Sequence, residues 1–526
     1  MSDIRLPIGI QNFESLIKDG FIYIDKTEYI YKLVHGNSRA YFLSRPRRFG
    51  KSLFLSTLKA YWEGKKELFA GLAIEHLEEE STWEANPVLY FDFNKKNFRE
   101  DEALETVLDE HLREWEQIYE IDDKTVFSLD ERFRHIIKKA NAFTGKRVVI
   151  LVDEYDKPLL ENGGTDERTE HDKALFKGFF STLKSYDEYI AFSFLTGVTK
   201  FSKVSIFSDL NHLSDISMDE EYASVCGITE KELQKKLDCC VHDMSVNNNI
   251  TDVECYSELK KMYDGYHFHQ SAEGVYNPFS LLNALSKKEF GAWWFETGTP
   301  TFLIDKIKSV NYDFKKITEG KVYADEVTLK DYENDNPDPV PLLYQTGYLT
   351  IISYDKDFRS YCLDYPNEEV KYGFIKSLSS TFIQDRQAPG PLDIRSFGID
   401  IKNGDTDSLR DRLTALYASI PYPTDYTERV LEQSFQNVAY LVFTLLGQFV
   451  HSEVHSAKGR SDVVVETDDY VYIMEFKRDS SADEALEQIE EKGYAIPYAA
   501  DKRTLIRIGA NFDSEKRILD DWKALI

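Results

Sequence analysis

Residues Val148–Asp153 read Val-Val-Ile-Leu-Val-Asp, an unbroken apolar run closed by an acid. A strand with one wet face alternates apolar and polar side chains. An uninterrupted run is buried on both faces, which is the habit of a parallel sheet covered by helices. Ile190–Thr196 repeats the pattern, and Tyr41–Ser44 and Val88–Phe93 are shorter strand candidates. Leu53–Trp62 and Glu102–Glu120 between them have helical composition. The first part of the chain therefore reads as an α/β domain with a parallel sheet.

Gly50-Lys51-Ser52 follows the first of these strands and opens a helix. That context suits a phosphate. Backbone N–H groups at a helix start hold the anion, Lys51 reaches the β/γ-phosphates, and Ser52 ligates Mg²⁺. The full motif has glycine five positions before Gly50; here that position is Arg45, in RPRRFGKS. At the tip of Val148–Asp153, Asp153 suits water-mediated binding of Mg²⁺, and Glu154 suits orienting or deprotonating an attacking water. Thr196, in TGVTK after the next apolar run, is placed to sense a γ-phosphate. Arg45, Arg47 and Arg48 are expected to neutralise phosphate, to touch nucleic acid, or to form a solvated basic loop.

The last hundred residues carry a second constellation. Glu428–Val450 has helical apolar spacing, Ser452–His455, Asp462–Glu466 and Tyr470–Phe476 are strand candidates, Asp483–Gly493 is helical, and Thr504–Ile508 is a strand. The expected order is helix, three strands, helix, strand. Glu475 and Lys477 are two apart on one strand and so share a face. Asp462, on a neighbouring strand, can join them. Two carboxylates suit a hard divalent ion such as Mg²⁺, which activates water, and Lys477 positions that water or helps deprotonate it. Two helix glutamates compete to complete the set. Glu428 points closer to the apolar face than Glu432 does. Gln488, on the following helix, is expected to touch this site.

With 64 Lys+Arg against 92 Asp+Glu, the net charge is −28. A generally basic, DNA-coating surface is thereby excluded, but a local basic cleft is not. The five cysteines, Cys226, Cys239, Cys240, Cys255 and Cys362, form no CxxC pair and suit a reducing, cytoplasmic setting. No signal peptide is visible, and the longest apolar run, Val438–Val450, is too short to span a bilayer. His267, His269, His451 and His455 lack zinc-like partners. Trp293 and Trp294 read as core residues rather than base-stacking platforms. Glu78–Glu80 reads as a solvated face.

The ordered set RPRRFGKSL, LVDEYDKPL, TGVTKFSKVSIFS, YDGYHF, YNPFSLL, WFETGTPTFL, LLYQTGYLTI, LDYPNEEV, GRSDVVVET, YVYIMEFKRD and ALEQIEEKGYAIPYA resembles a bacterial AAA-ATPase-like family with a C-terminal PD-(D/E)XK nuclease-like domain. The resemblance implies an N-terminal P-loop NTPase sheet (1–226), a helical lid and mixed connecting region (227–425), and a restriction-endonuclease-like α/β domain (426–526). It implies ATP at Lys51 and Ser52 with Asp153 and Glu154 as the acidic strand-tip pair; with the residues read directly from the pattern, the expected ATP contacts are Arg48, Gly50, Lys51, Ser52, Asp153 and Thr196, with Glu154 catalytic. It implies Asp462, Glu475 and Lys477 as the nuclease core, with Glu432 at the family's helix position and Mg²⁺ or Mn²⁺ as the ion. The expected partners are ATP and nucleic acid, DNA favoured, with no membrane and with room for an oligomer. The expected activity is ATP-regulated phosphodiester cleavage, in DNA defence or repair. Two alternatives are a nucleotide-controlled binding switch whose nuclease fold does not cleave, and an ATPase whose C-terminal domain only assembles oligomers.

Overall fold

The computed structural model describes residues 4–100, 102–121, 128–161, 166–200, 212–296, 303, 322–330, 338–382, 394–419, 442, 453–455, 463–513, 516 and 518–526. The chain divides into two compact units, Met1–Gly298 with Tyr323–Glu369, and Thr299–Val322 with Val370–Ile526. The stretch read as a connecting region thus contributes to both.

The first unit is built on five parallel strands: β1 (Ala40–Ser44), β2 (Val88–Asp92), β3 (Val148–Asp153), β4 (Ile190–Gly197) and the two-residue β5 (Ser214–Asp215). They lie in the order β2-β3-β4-β1-β5. Every residue of β3 is buried, as its unbroken apolar run requires. The register Leu43↔Thr196 brings the ends of β1 and β4 together, and Asp92↔Asp153 aligns the tips of β2 and β3. Loops leaving these strands therefore meet at one sheet edge. Helices Lys51–Trp62, Ala103–Ile118 and Leu129–Thr144 pack around the sheet.

A helical group follows, formed by Glu230–Asn248, Asp252–Tyr263 and Pro278–Lys287. Thr229/Glu232 and Thr251/Glu254 form capping boxes at two of these starts, and Asn277 caps the third with Pro278 at its first turn. Their core includes Leu233, Leu237, Val241, Leu259, Tyr276 and Leu281, and Ile8, Ile22 and Ile24 from the N-terminal segment pack against it. A small sheet, β6 (Val322–Asp325), β7 (Thr350–Asp355) and β8 (Ser360–Asp364), is ordered β6-β8-β7.

The second unit holds a mixed sheet of β9 (Glu453–His455), β10 (Val463–Glu466), β11 (Tyr470–Arg478), β12 (Thr504–Asp513) and β13 (Ile518–Leu525), ordered β13-β12-β11-β10-β9. Only β11 and β12 pair in parallel among its ladders, and the helix Ala482–Glu491 crosses between them. One face packs Tyr472, Met474, Ile506 and Ile508 against Phe397, Ile401, Leu413 and Tyr417. The other packs Val471 and Ile473 against Leu486, Ile489 and Tyr494.

Two sequence expectations need correction. The final strand β13 extends the expected order; it is an edge strand in which Leu519 alone is buried, so its apolar signal is faint. The acidic run is not wholly solvated. Glu79 and Glu80 are exposed, but the Glu78 side chain is tucked in and accepts a 2.7 Å hydrogen bond from the Tyr61 hydroxyl. Trp293 and Trp294 are buried, as expected of core residues. All five cysteines are free. Among the described residues no helix is long and apolar enough to cross a membrane. The expected helix Glu428–Val450 lies outside the described residues, Val442 apart.

Candidate functional site

At the strand tips of the first unit lies a cavity of about 440 Å³. Arg47, Arg48, Gly50, Lys51, Ser52, Glu154 and Lys157 are among the residues that line it. Ile8, Ile10, Ile24, Ile228, Phe279 and Leu282 add apolar surface to its lining. A lining that mixes cations with apolar side chains suits a ligand with both a phosphate and an aromatic base.

The loop between β1 and the helix Lys51–Trp62 is shaped by two left-handed residues, Arg48 at φ 64° and Gly50 at φ 95°. Such turns aim successive backbone N–H groups into one concavity. Lys51 is buried, and its ammonium donates to the Arg45 carbonyl at 2.9 Å and the Pro46 carbonyl at 3.0 Å. Burial pushes its pKa down, while Glu154, Asp153 and Asp156 pull it back up. A buried cation partnered by neutral carbonyls is well matched to an incoming anion. The Arg48 guanidinium stands 5.3 Å from the Phe279 ring centroid, and Arg47 reaches Glu161 at 3.5 Å.

The acidic tip of β3 is organised by three carboxylates. Asp153 is buried and accepts from the Thr196 hydroxyl at 2.7 Å and from the Tyr90 hydroxyl at 3.4 Å. The Thr196 proton is therefore committed to Asp153, and as a phosphate contact it must first let go. Glu154 adopts φ 50°, which turns the chain out of the strand. Its pKa is raised, mainly by burial, with Lys51 opposing and Asp153 reinforcing. Asp156 was not singled out from sequence. It accepts from the N–H of Val198 (2.9 Å) and Thr199 (2.6 Å) and from the Thr199 hydroxyl (2.8 Å), so it sets the turn after β4. The second aspartate of DEYD was the available signal.

Arg45 departs from its expected roles. Its guanidinium is buried, donates to the carbonyls of Ser44, Ser217 and Tyr222, and lies 3.9 Å from the Phe268 ring centroid. With those donors spent on backbone, Arg45 anchors the strand end instead of meeting phosphate or nucleic acid. This is the physical reason that a bulky residue stands where the motif has glycine.

In the second unit, Glu475 is 4% exposed and Lys477 lies on the same face, its ammonium 3.3 Å from a Glu475 oxygen. Gln488 bridges them, with its amide N–H₂ donating to Glu475 at 2.5 Å and its carbonyl accepting from Lys477. The helix that carries Gln488 is seated by Gly509 of β12, which pairs with Glu475 of β11. A Cβ at Gly509 would lie 2.2 Å from the Ala482 carbonyl oxygen. Asp462, Glu432 and Glu428 lie outside the described residues.

Residues 7–207 match a family described as predicted AAA-ATPases, and residues 430–522 match the PD-(D/E)XK nuclease superfamily. An uncharacterized protein in the vnfD 5′ region of Azotobacter chroococcum mcd 1 is 36% identical over 524 residues, 98% of each chain.

Proposed function

Since the chain belongs to the family of predicted AAA-ATPases with a C-terminal PD-(D/E)XK nuclease domain, we propose that it binds and hydrolyses ATP and uses nucleotide state to license metal-dependent cleavage of DNA. The observation that carries the nucleotide half is Lys51, a buried ammonium held by two carbonyls on the wall of a cavity it shares with Glu154.

On this reading the Lys51 ammonium exchanges its loop carbonyls for phosphate oxygens. Backbone N–H groups of the Arg48–Ser52 loop cradle the same anion. The Glu154 carboxylate orients a water and accepts its proton at a carboxylate oxygen. Burial suits it to that task, because a raised pKa makes it a stronger base than an exposed glutamate. Ser52 and Asp153 are the residues that would hold Mg²⁺, which offsets phosphate charge when bound.

In the second unit Glu475, with Asp462 and Glu432 as proposed partners, would hold Mg²⁺ or Mn²⁺, which supplies an activated water when bound. Lys477 and Gln488 present five N–H donors and one amide carbonyl around Glu475, a set suited to orienting that water and a phosphate oxygen. The hydrogen bond from Gln488 fixes the Glu475 rotamer. DNA defence or repair is the proposed setting.

The test is cleavage of plasmid and linear DNA with Mg²⁺ or Mn²⁺, with and without ATP, beside Lys477→Ala. Cleavage by the wild type alone, stimulated by ATP, is expected. Bound ATP with no cleavage under any condition would transfer the assignment to a nucleotide-controlled binding switch, which the net charge of −28 also accommodates.

A further inference from the structure

The phosphate loop is held from far along the chain. The Trp294 indole N–H donates to the Arg47 carbonyl at 3.1 Å, across 247 residues. The Trp294 backbone N–H donates to a Glu369 carboxylate oxygen at 2.7 Å, a further 75 residues on. Trp294 also lies 5.2 Å from the Tyr348 ring, and Gly347 beside it packs against Pro46 of the same loop. Glu369 is 1% exposed, and the Trp293 N–H and the Ser280 hydroxyl face it as well. A hydrogen bond in such a dry setting is strong and directional.

These tie points have a common property. The chain leaves the first unit after Gly298, shortly past Trp294, and again directly after Glu369. The helix Glu368–Phe382 starts at the second exit and continues into residues of the second unit.

Peptide planarity supplies the linkage. The Arg47 carbonyl and the Arg48 N–H belong to one rigid plane. Turning that N–H toward a phosphate oxygen rotates the carbonyl the other way, and the carbonyl is what Trp294 grips. We propose that Trp294 and Glu369 are positioning residues that relay occupancy of the phosphate loop to the two chain exits leading into the second unit. The relay rests on the nucleotide reading of the loop given above.

Hydrogen exchange by mass spectrometry on the full chain tests it, with and without Mg·ATP, in the wild type and in Trp294→Phe, which keeps the ring and loses the N–H. In the wild type, ATP slows exchange severalfold in both Lys51–Trp62 and Glu368–Phe382. In Trp294→Phe the first response persists and the second is lost. A second response that survives in the variant, or that is absent from a wild type whose first response is present, overturns the relay and leaves nucleotide binding standing. No response in either helix of the wild type removes the nucleotide reading and the relay together. If Trp294→Phe fails to fold, Glu369→Gln substitutes for it. A diminished second response with retained ATP binding is then expected, and an undiminished one overturns the proposal.

Discussion

Glu154 illustrates how one side chain is prepared. It sits just beyond a fully buried strand, turns out of it at φ 50°, and faces the cavity. Glu154→Gln should therefore keep ATP binding while hydrolysis drops about 10²–10⁴-fold, measured as phosphate release against bound nucleotide. Because burial raises its pKa, the acid limb of the wild-type rate profile should lie above the ordinary glutamate range. A limb at the ordinary position would assign the proton acceptor elsewhere. At this scale the sequence exposed charge but not its direction. The positions of Asp153, Glu154, Glu475 and Lys477 were legible because the pattern puts each at a strand tip or on one strand face, and that of Lys51 because Gly-Lys-Ser opens a helix. Arg45 was misread because an arginine among arginines beside Gly-Lys-Ser looks like a phosphate ligand, and only the fold supplies the carbonyls that bury it.

Elements were legible where both faces are covered, as in β3, and faint where one edge is wet. β5 has two residues and β13 interleaves charge with its apolar positions, so neither stands out from a loop. What seats one element on another was invisible beforehand. Gly509 is a case: its missing Cβ admits the Ala482 carbonyl and so brings Gln488 over Glu475. Gly509→Ala should destabilise the second unit by about 2–3 kcal/mol in urea unfolding and lower metal-dependent cleavage; unchanged stability would mean the helix shifts freely. A second case is Glu369, pushed up to about 7 from 4.5 by burial. The folded state then holds its proton more tightly than the unfolded chain does. That contribution is complete below about 4.5 and is lost as pH rises through about 7. Wild type should lose about 3 kcal/mol relative to Glu369→Gln across this window. Parallel denaturation midpoints for the two proteins would contradict the assignment.

Across the whole molecule, two compact units with interleaved segments predict two unfolding transitions in calorimetry. Mg·ATP at a hundred times its Kd should stabilise the first unit by about 2.7 kcal/mol and raise its transition. A single transition, or an equal shift of both, would show that the units melt as one. No local signal announces the return of Tyr323–Glu369 to the first unit, which is why the sequence blocks and the compact units divide the chain differently. That return also sets a schedule for biosynthesis. The loop before Lys51 leaves the ribosome early, yet its grip by Trp294 must wait 247 residues, and the carboxylate that braces Trp294 follows 75 residues later. At ordinary rates of translation this is a delay on the order of tens of seconds. The nascent N-terminal domain is therefore born with its loop unbraced, and a chain released before Glu369 never acquires the brace. A fully braced loop marks a chain whose synthesis has passed well into its second half.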